Sequence, residues 1–317
     1  MAAQGRAKSV EIPASLLALL QSPDPQVRIR GIEGLAASET YESLQWLLLA
    51  LNDPDPEVRK SAGQAVQSAN PVWLVDSIVG GLLAGSPEVA ASFDAALPSL
   101  GKTVEPTLLR LFRERGHTEQ QLAVMAYALG RIKSSEAVKD LAKYARSDKP
   151  YLADVCADAL YEVGDEGAIR ELTGLVGSPF VEVRRTALYG LVRFGGPEVQ
   201  AILLDVSSGK REANLHLRQE ATALLAYVGD EKTVEYLVDL IRKQVGLGGA
   251  ASFALQSITG YPVGNRPRLW VEWWNELEAS KGGEETAPPL IPSDGSGPAP
   301  GIPPSGIPKI TEDFEKP

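Results

Sequence analysis

One pattern recurs along most of this chain at intervals close to 31 residues, and it constrains the fold more than any other feature. Each copy opens at a position i that is usually apolar and often followed by Arg. Small residues then stand at i+4 and i+7, and an apolar residue at i+8. The copies start at Val27, Val58, Val89, Gln121, Leu152, Val183, Leu217 and Leu247, at successive spacings of 31, 31, 32, 31, 31, 34 and 30 residues. The small slots hold Gly31, Ala62, Ala96, Ala128, Cys156, Ala187, Ala221 and Ala251 among others. A register kept over about two hundred residues is the mark of a repeat architecture.

Within each copy the residue types spell two helices. Asp24, Asp55, Ser86, Thr118 and Asn214 stand at i−3, where a side-chain oxygen can accept from the unpaired N–H groups of a first helical turn. Pro25, Pro56, Pro87 and Pro150 follow at i−2, the first helical position, where the missing N–H costs nothing. Gly130, Gly164, Gly195 and Gly229 are expected to end first helices in the left-handed conformation. Asp165, Asp230 and Pro197 then restart the chain. The second helix carries its own apolar stripe, as in Leu44/Leu47/Leu51, Val75/Ile78/Leu82, Ile169/Leu172/Val176 and Val234/Leu237/Ile241, at helical and not strand period. Such a thin hairpin cannot bury its apolar face alone, so neighbours must stack.

The segments Asp24-Pro-Gln-Val-Arg and Asp53-Pro-Asp-Pro-Glu-Val-Arg resemble the Asp-Pro-x-x-Val-Arg opening of bacterial HEAT repeats, the short kind also found in the phycobilisome-lyase-like group. The resemblance covers roughly residues 10 to 280. It implies an all-α, right-handed α-α superhelix, a HEAT-type solenoid of about eight helical hairpins. For function it implies a scaffold or adaptor that binds a protein partner, with a phycobilin-lyase-like or chromophore-chaperone role as the alternative. The third, fourth and fifth copies lack Arg at i+1, so an Arg–Asp ladder along the stack should be interrupted there.

The expected organisation follows. Residues 1–21 form an N-terminal capping helix, since Leu16, Leu17, Leu19 and Leu20 have no first helix before them. Residues 22–260 form the array. Residues 261–280 form a closing helix in which Trp270, Trp273 and Trp274 share one face, read as a hydrophobic plug whose indole N–H groups reach polar neighbours. Residues 281–317 are rich in Pro, Gly and Ser and are expected to be extended and mobile, a linker or tail.

Composition excludes several functions. A formal charge of −10 argues against nucleic acid or an anionic membrane as partner. No apolar run reaches the ~18 residues of a transmembrane helix, and the N-terminus lacks a signal-peptide cleavage pattern, so a cytoplasmic location is expected. One cysteine and two histidines, neither beside a Glu, leave no metal site and no His-Glu pairs for a di-iron centre. No nucleophile elbow, phosphate loop or dinucleotide fingerprint is present. Cys156 fills a small core slot. No catalytic residue, cofactor or metal is therefore expected.

In HEAT stacks the second helices line the concave face. Offsets i+18, i+19, i+22 and i+23 leave the core stripe and select Trp46, Asp76, Lys139, Asp140, Lys143, Tyr144, Arg170, Glu171, Tyr236 and Asp239 as the candidate contact surface. Trp46, Tyr144 and Tyr236 are the sharpest, because aromatics among charges are typical binding anchors. The competing reading is that they pack across to the neighbouring repeat.

Overall fold

The computed structural model describes residues 12–38, 40–84, 87–243 and 245–281, and among them there is no strand. The chain divides into two compact units, Met1–Glu171 and Leu172–Pro317. The first contains α1 (Ala14–Leu20), α2 (Pro25–Ser38), α3 (Tyr41–Ala50), α4 (Pro56–Gln67), α5 (Pro71–Ala84), α6 (Pro87–Arg113), α7 (Glu119–Arg131), α8 (Val138–Ala145) and α9 (Pro150–Val163). Helix α10 (Glu166–Leu175) carries the chain from the first unit into the second. The second unit continues with α11 (Val181–Val192), α12 (Pro197–Ser208), α13 (Leu215–Val228), α14 (Glu231–Lys243), α15 (Gly248–Thr259) and α16 (Pro267–Lys281).

Val27, Val58, Gln121, Leu152, Val183 and Leu217 each fall in the first turn of a first helix, whereas Leu247 stands just ahead of α15. Asp55 accepts from the N–H groups of Glu57 and Val58, Thr118 forms a reciprocal capping box with Gln121, and Asn214 accepts from Leu217. Asp24 accepts from Gln26 N–H at 2.9 Å; Ser86 lies outside the described residues. First helices stack on first helices (α2 on α4, α7 on α9, and separately α11 on α13 on α15), while α3 packs on α5. The small slots let them approach, and Ala62, Cys156, Ala187, Ala221 and Ala251 are fully buried.

The Arg at i+1 explains itself. Arg28, Arg59 and Arg184 each donate from Nη1 to the two carbonyls that precede their own helix (Ser22 and Pro23, Asp53 and Pro54, Ser178 and Pro179). Arg28 also reaches Asp53, and Arg184 reaches Glu212, through two hydrogen bonds each. One side chain thus ties a loop to its own helix and to the next hairpin.

Three expectations need correction. The third copy is not a hairpin: α6 is a single 27-residue helix with Pro98 and Pro106 inside it. Its buried residues Phe93, Leu97, Leu100, Val104, Leu108 and Phe112 form one unbroken stripe at helical spacing, which outweighs two prolines on the exposed side. Gly130 does not take the left-handed conformation. It lies inside α7, and Lys133 instead adopts φ 55°. Gly229 is extended at φ −73°, ψ 150°; a Cβ there would stand 2.6 Å from the backbone oxygen of Leu225, which cannot give way, so packing requires the glycine. Gly164 and Gly195 are left-handed as expected.

At the front, α1 lies on two glycines of α2. A Cβ on Gly31 or Gly34 would stand 2.9 Å from Leu20 Cδ2 and 2.5 Å from Leu16 Cδ1. At the back, α16 takes the place of a second helix, packed on α14 and α15. Trp270 is fully buried and donates to Gly264 O at 3.0 Å. The Trp273 ring lies 5.4 Å from Trp270, 6.0 Å from Trp274 and 5.3 Å from Tyr261. The indoles thus bury one another, but Trp273 Nε1 finds no acceptor among the described residues, contrary to expectation. The Pro-rich segment from residue 282 lies outside the described residues.

Candidate functional site

The second helices of the first unit bring together six of the sequence-selected residues, on α8 and the first-unit part of α10. On α8, Lys139 and Lys143 are one turn apart and both exposed. The acidic neighbours are already engaged by arginines from flanking hairpins. Arg113 Nε, at the end of α6, donates to Asp140 at 2.8 Å, and Arg146 Nη2 pairs with Glu171 at 2.8 Å. Neither Lys139 nor Lys143 has an ion-pair partner among the described residues. Arg170 is likewise exposed, on the first unit's part of α10. On this surface Asp140 and Glu171 are held by arginines, while the two ammonium groups are left to solvent. Sequence spacing selects the lysines and not Arg113 and Arg146, because these pairs join residues 27 and 25 apart.

Tyr144 is half-buried. Its ring packs at 5.1 Å on Phe112 of α6, and Lys143 Nζ lies 5.6 Å from its centroid. Part of the ring serves packing between hairpins and its edge reaches the surface. Trp46, on α3, is half-buried, and Asp76, on α5, is exposed. The surrounding protein holds the Asp76 carboxyl above the usual carboxylate range, while the charges of Arg110 and His117 pull it the other way.

In the second unit the selected residues are more committed. Tyr236 shares a 2.6 Å hydrogen bond with Ser207 and a longer one, 3.4 Å, to Leu204 O, so its hydroxyl ties α14 to α12. Burial pushes the phenol up. Asp239 is bonded by Lys243 at 2.7 Å and Arg242 at 3.4 Å, and Lys243 above all holds its carboxyl below the ordinary range.

Cys156 is fully buried, and burial drives its thiol far above the ordinary range, away from a nucleophilic thiolate. Among the described residues no cluster of three His, Cys, Asp or Glu could hold a metal ion, and no helix is long and apolar enough to cross a membrane.

Residues 13–92 match the family model described as HEAT repeats. That stretch therefore resembles HEAT repeats, and the described residues beyond it continue as α-helices in the same frame. Among solved structures the chain is similar to importin beta (crystallised in a polyethylene glycol condition), at 12% identity and a TM-score of 0.43. That match covers 84% of this chain and 45% of the importin, so the chain spans less than half of it. It is also similar to the complex of CpcE and CpcF of phycocyanin lyase from Nostoc sp. PCC7120, at 17% identity and a TM-score of 0.30, covering 86% of this chain and 98% of that one. No curated protein matches.

Proposed function

We propose that the chain is a non-enzymatic scaffold or adaptor that holds a protein partner on its second-helix face. Lys139, Lys143 and Tyr144 form the centre of the contact, with Arg170 and Glu171 beside them. Trp46 and Asp76 extend the surface on α3 and α5, and Tyr236 and Asp239 belong to the corresponding face of the second unit. The carrying observation is the charge arrangement on α8. Its acidic residue is taken by Arg113, while two lysines stay unpaired around an aromatic edge. Such a patch favours a partner segment bearing carboxylates, because complementary charge steers encounter and fixes register.

The test is capture from native lysate with the full chain and its Lys139→Glu/Lys143→Glu variant. Both lysines are exposed, so helicity and melting should stay normal. A stoichiometric protein partner retained by the parent, and reduced at least tenfold by the variant, supports the assignment. Equal retention by both proteins overturns the site. A coloured chromophore bound without a protein partner overturns the scaffold reading itself.

A further inference from the structure

The cations on the second-helix face of the first unit have a spacing that selects among acidic segments. Lys139 and Arg170 hold the same place in successive copies, 18 residues after Gln121 and Leu152. Helices α8 and α10 are neighbours: a Cβ on Gly167 would stand 3.7 Å from Val138 Cγ1, and Arg146 reaches Glu171. Equivalent positions on packed helices lie about 8–10 Å apart, whereas Lys139 and Lys143, one turn apart on α8, are separated by about 6 Å. All three cations are exposed, and none has an ion-pair partner among the described residues. The patch ends there. On the α6 side Arg113 is taken by Asp140, and past Lys143 Arg146 is taken by Glu171.

Between Lys139 and the start of α10 lies a depression of about 380 Å³. Its polar groups are largely committed: Asp165 accepts from Ala168 N–H at 2.8 Å, and Arg113 donates to Asp140 and to Glu136 O. Val138 is the one apolar side chain in its lining, and it is only 6% exposed. A helical partner docks by laying an apolar stripe in a groove, and this surface offers it almost nothing to bury. A polyproline-type segment needs no such stripe. It is extended, its peptide groups stay solvated, and residues three apart face the same way at a distance of about 9 Å. Same-face residues of a β-strand fall about 7 or 13 Å apart instead, on either side of the gap from Lys139 to Arg170. Glu136 at the rim and the formal charge of −10 on the chain oppose a dense polyanion such as nucleic acid, but not acids separated by neutral residues.

We propose that the partner contributes an extended, polyproline-type segment with a carboxylate at every third residue, which crosses from α8 to α10 and sets successive carboxylates on Lys139 and Arg170. Lys143 lies beside the first of them. The inference rests on the reading that the second-helix face holds a partner, and adds the conformation and acid spacing of the segment held.

The experiment titrates three peptides with the same number of glutamates into the full chain, followed by fluorescence anisotropy. One is proline-rich with glutamate at every third position, one is an alanine-rich helix with glutamate at every seventh, and one is threonine-rich with glutamate at every second. The first is expected to bind at least fivefold more tightly than either of the others, and Arg170→Glu to cut that advantage below twofold. Arg170 is exposed, and circular dichroism checks that the variant keeps its helices. An advantage that survives Arg170→Glu, equal binding of the helical peptide, or tighter binding of a thymidine oligonucleotide overturns the proposal. Failure of all three peptides to bind overturns it too. Capture of a protein partner through Lys139 and Lys143 in the lysate experiment would then leave the face standing and exclude only the crossing segment.

Discussion

Gly130 of α7 lies directly against the backbone of Ala159 in α9: a Cβ built on Gly130 would stand 2.7 Å from Ala159 Cα and 3.0 Å from Ala159 Cβ. The glycine is there for close approach of two first helices. Helix propensity alone would favour alanine by about 1 kcal/mol, but overpacking against backbone costs roughly 1–3 kcal/mol. Because the contact is with backbone, the upper part of that range applies, and Gly130→Ala is expected to lower stability by up to about 2 kcal/mol. Gly63 of α4 is the control. A Cβ there meets only Leu51 Cδ2, at an ordinary 3.8 Å, so Gly63→Ala should raise stability by about 0.5–1 kcal/mol. Urea denaturation of the two variants followed by circular dichroism checks both, and equal effects of the same sign would refute the close-approach argument.

Lys133 carries the left-handed turn after α7, at φ 55°. A non-glycine side chain held there costs about 1 kcal/mol. Lys133→Gly relieves that cost and adds some freedom to the unfolded chain. A net gain of about 0.5 kcal/mol is expected, seen as a small rise in Tm; a fall in Tm would mean that the lysine side chain contributes a contact that outweighs the strain.

These two positions show what the sequence makes legible. Caps at Asp55, Thr118 and Asn214 act within three residues, so spacing alone finds them. Gly130 is ambiguous because a glycine near a helix end serves either a left-handed turn or close packing, and only the position of Ala159 decides. The single helix α6 hides behind Pro98 and Pro106, which read as breakers until the continuous stripe from Phe93 to Phe112 is followed through them. On the candidate surface, offset counting found Lys139 and Lys143 but could not see that Tyr236 would spend its hydroxyl on Ser207. Tyr127 and Tyr151 went unnoticed because the frame treats first helices as core lattice, whereas α7 and α9 each expose one edge.

The prolines of α6 give a direct test of that stripe. Each removes a backbone donor from the helix interior, at a cost near 3 kcal/mol against alanine. Stiffening of the unfolded chain returns up to about 1 kcal/mol. Pro98 and Pro106 are both exposed, so alanine should fit without displacing a neighbour, and each of Pro98→Ala and Pro106→Ala is expected to stabilise by about 2 kcal/mol. A thermal melt that shows no gain at either site would mean that a proline bend is needed to seat Phe93 and Phe112 together.

Two buried glutamates in the second unit carry opposite expectations for pH. Glu212 and Glu220 have side chains only 7% and 5% exposed, and each is paired with an arginine. Burial alone would raise both. At Glu212, two bonds from Arg184 and backbone N–H groups of Asn214 and Ala213 overcome burial, and its carboxyl is held below the usual 4.5. Glu220 receives Arg185 Nε at 2.8 and 3.0 Å, with no backbone N–H donor among the described residues, and faces the Glu182 carboxylate that shares the same guanidinium; burial wins and its carboxyl lies above the usual range. A lowered carboxylate adds stability that is fully present above pH 4.5 and disappears as pH falls through the folded value. A raised one does the reverse: its contribution declines as pH rises from 4.5 through the folded value. Glu212→Gln should thus cost about 2 kcal/mol at pH 7, with the difference from the parent shrinking below pH 4.5. Glu220→Gln should compare most poorly with the parent near pH 4.5 and improve relative to it toward pH 7. Urea melts of the three proteins between pH 3.5 and 7.5 check the pair, and parallel pH profiles would show that backbone N–H groups do not separate the two sites.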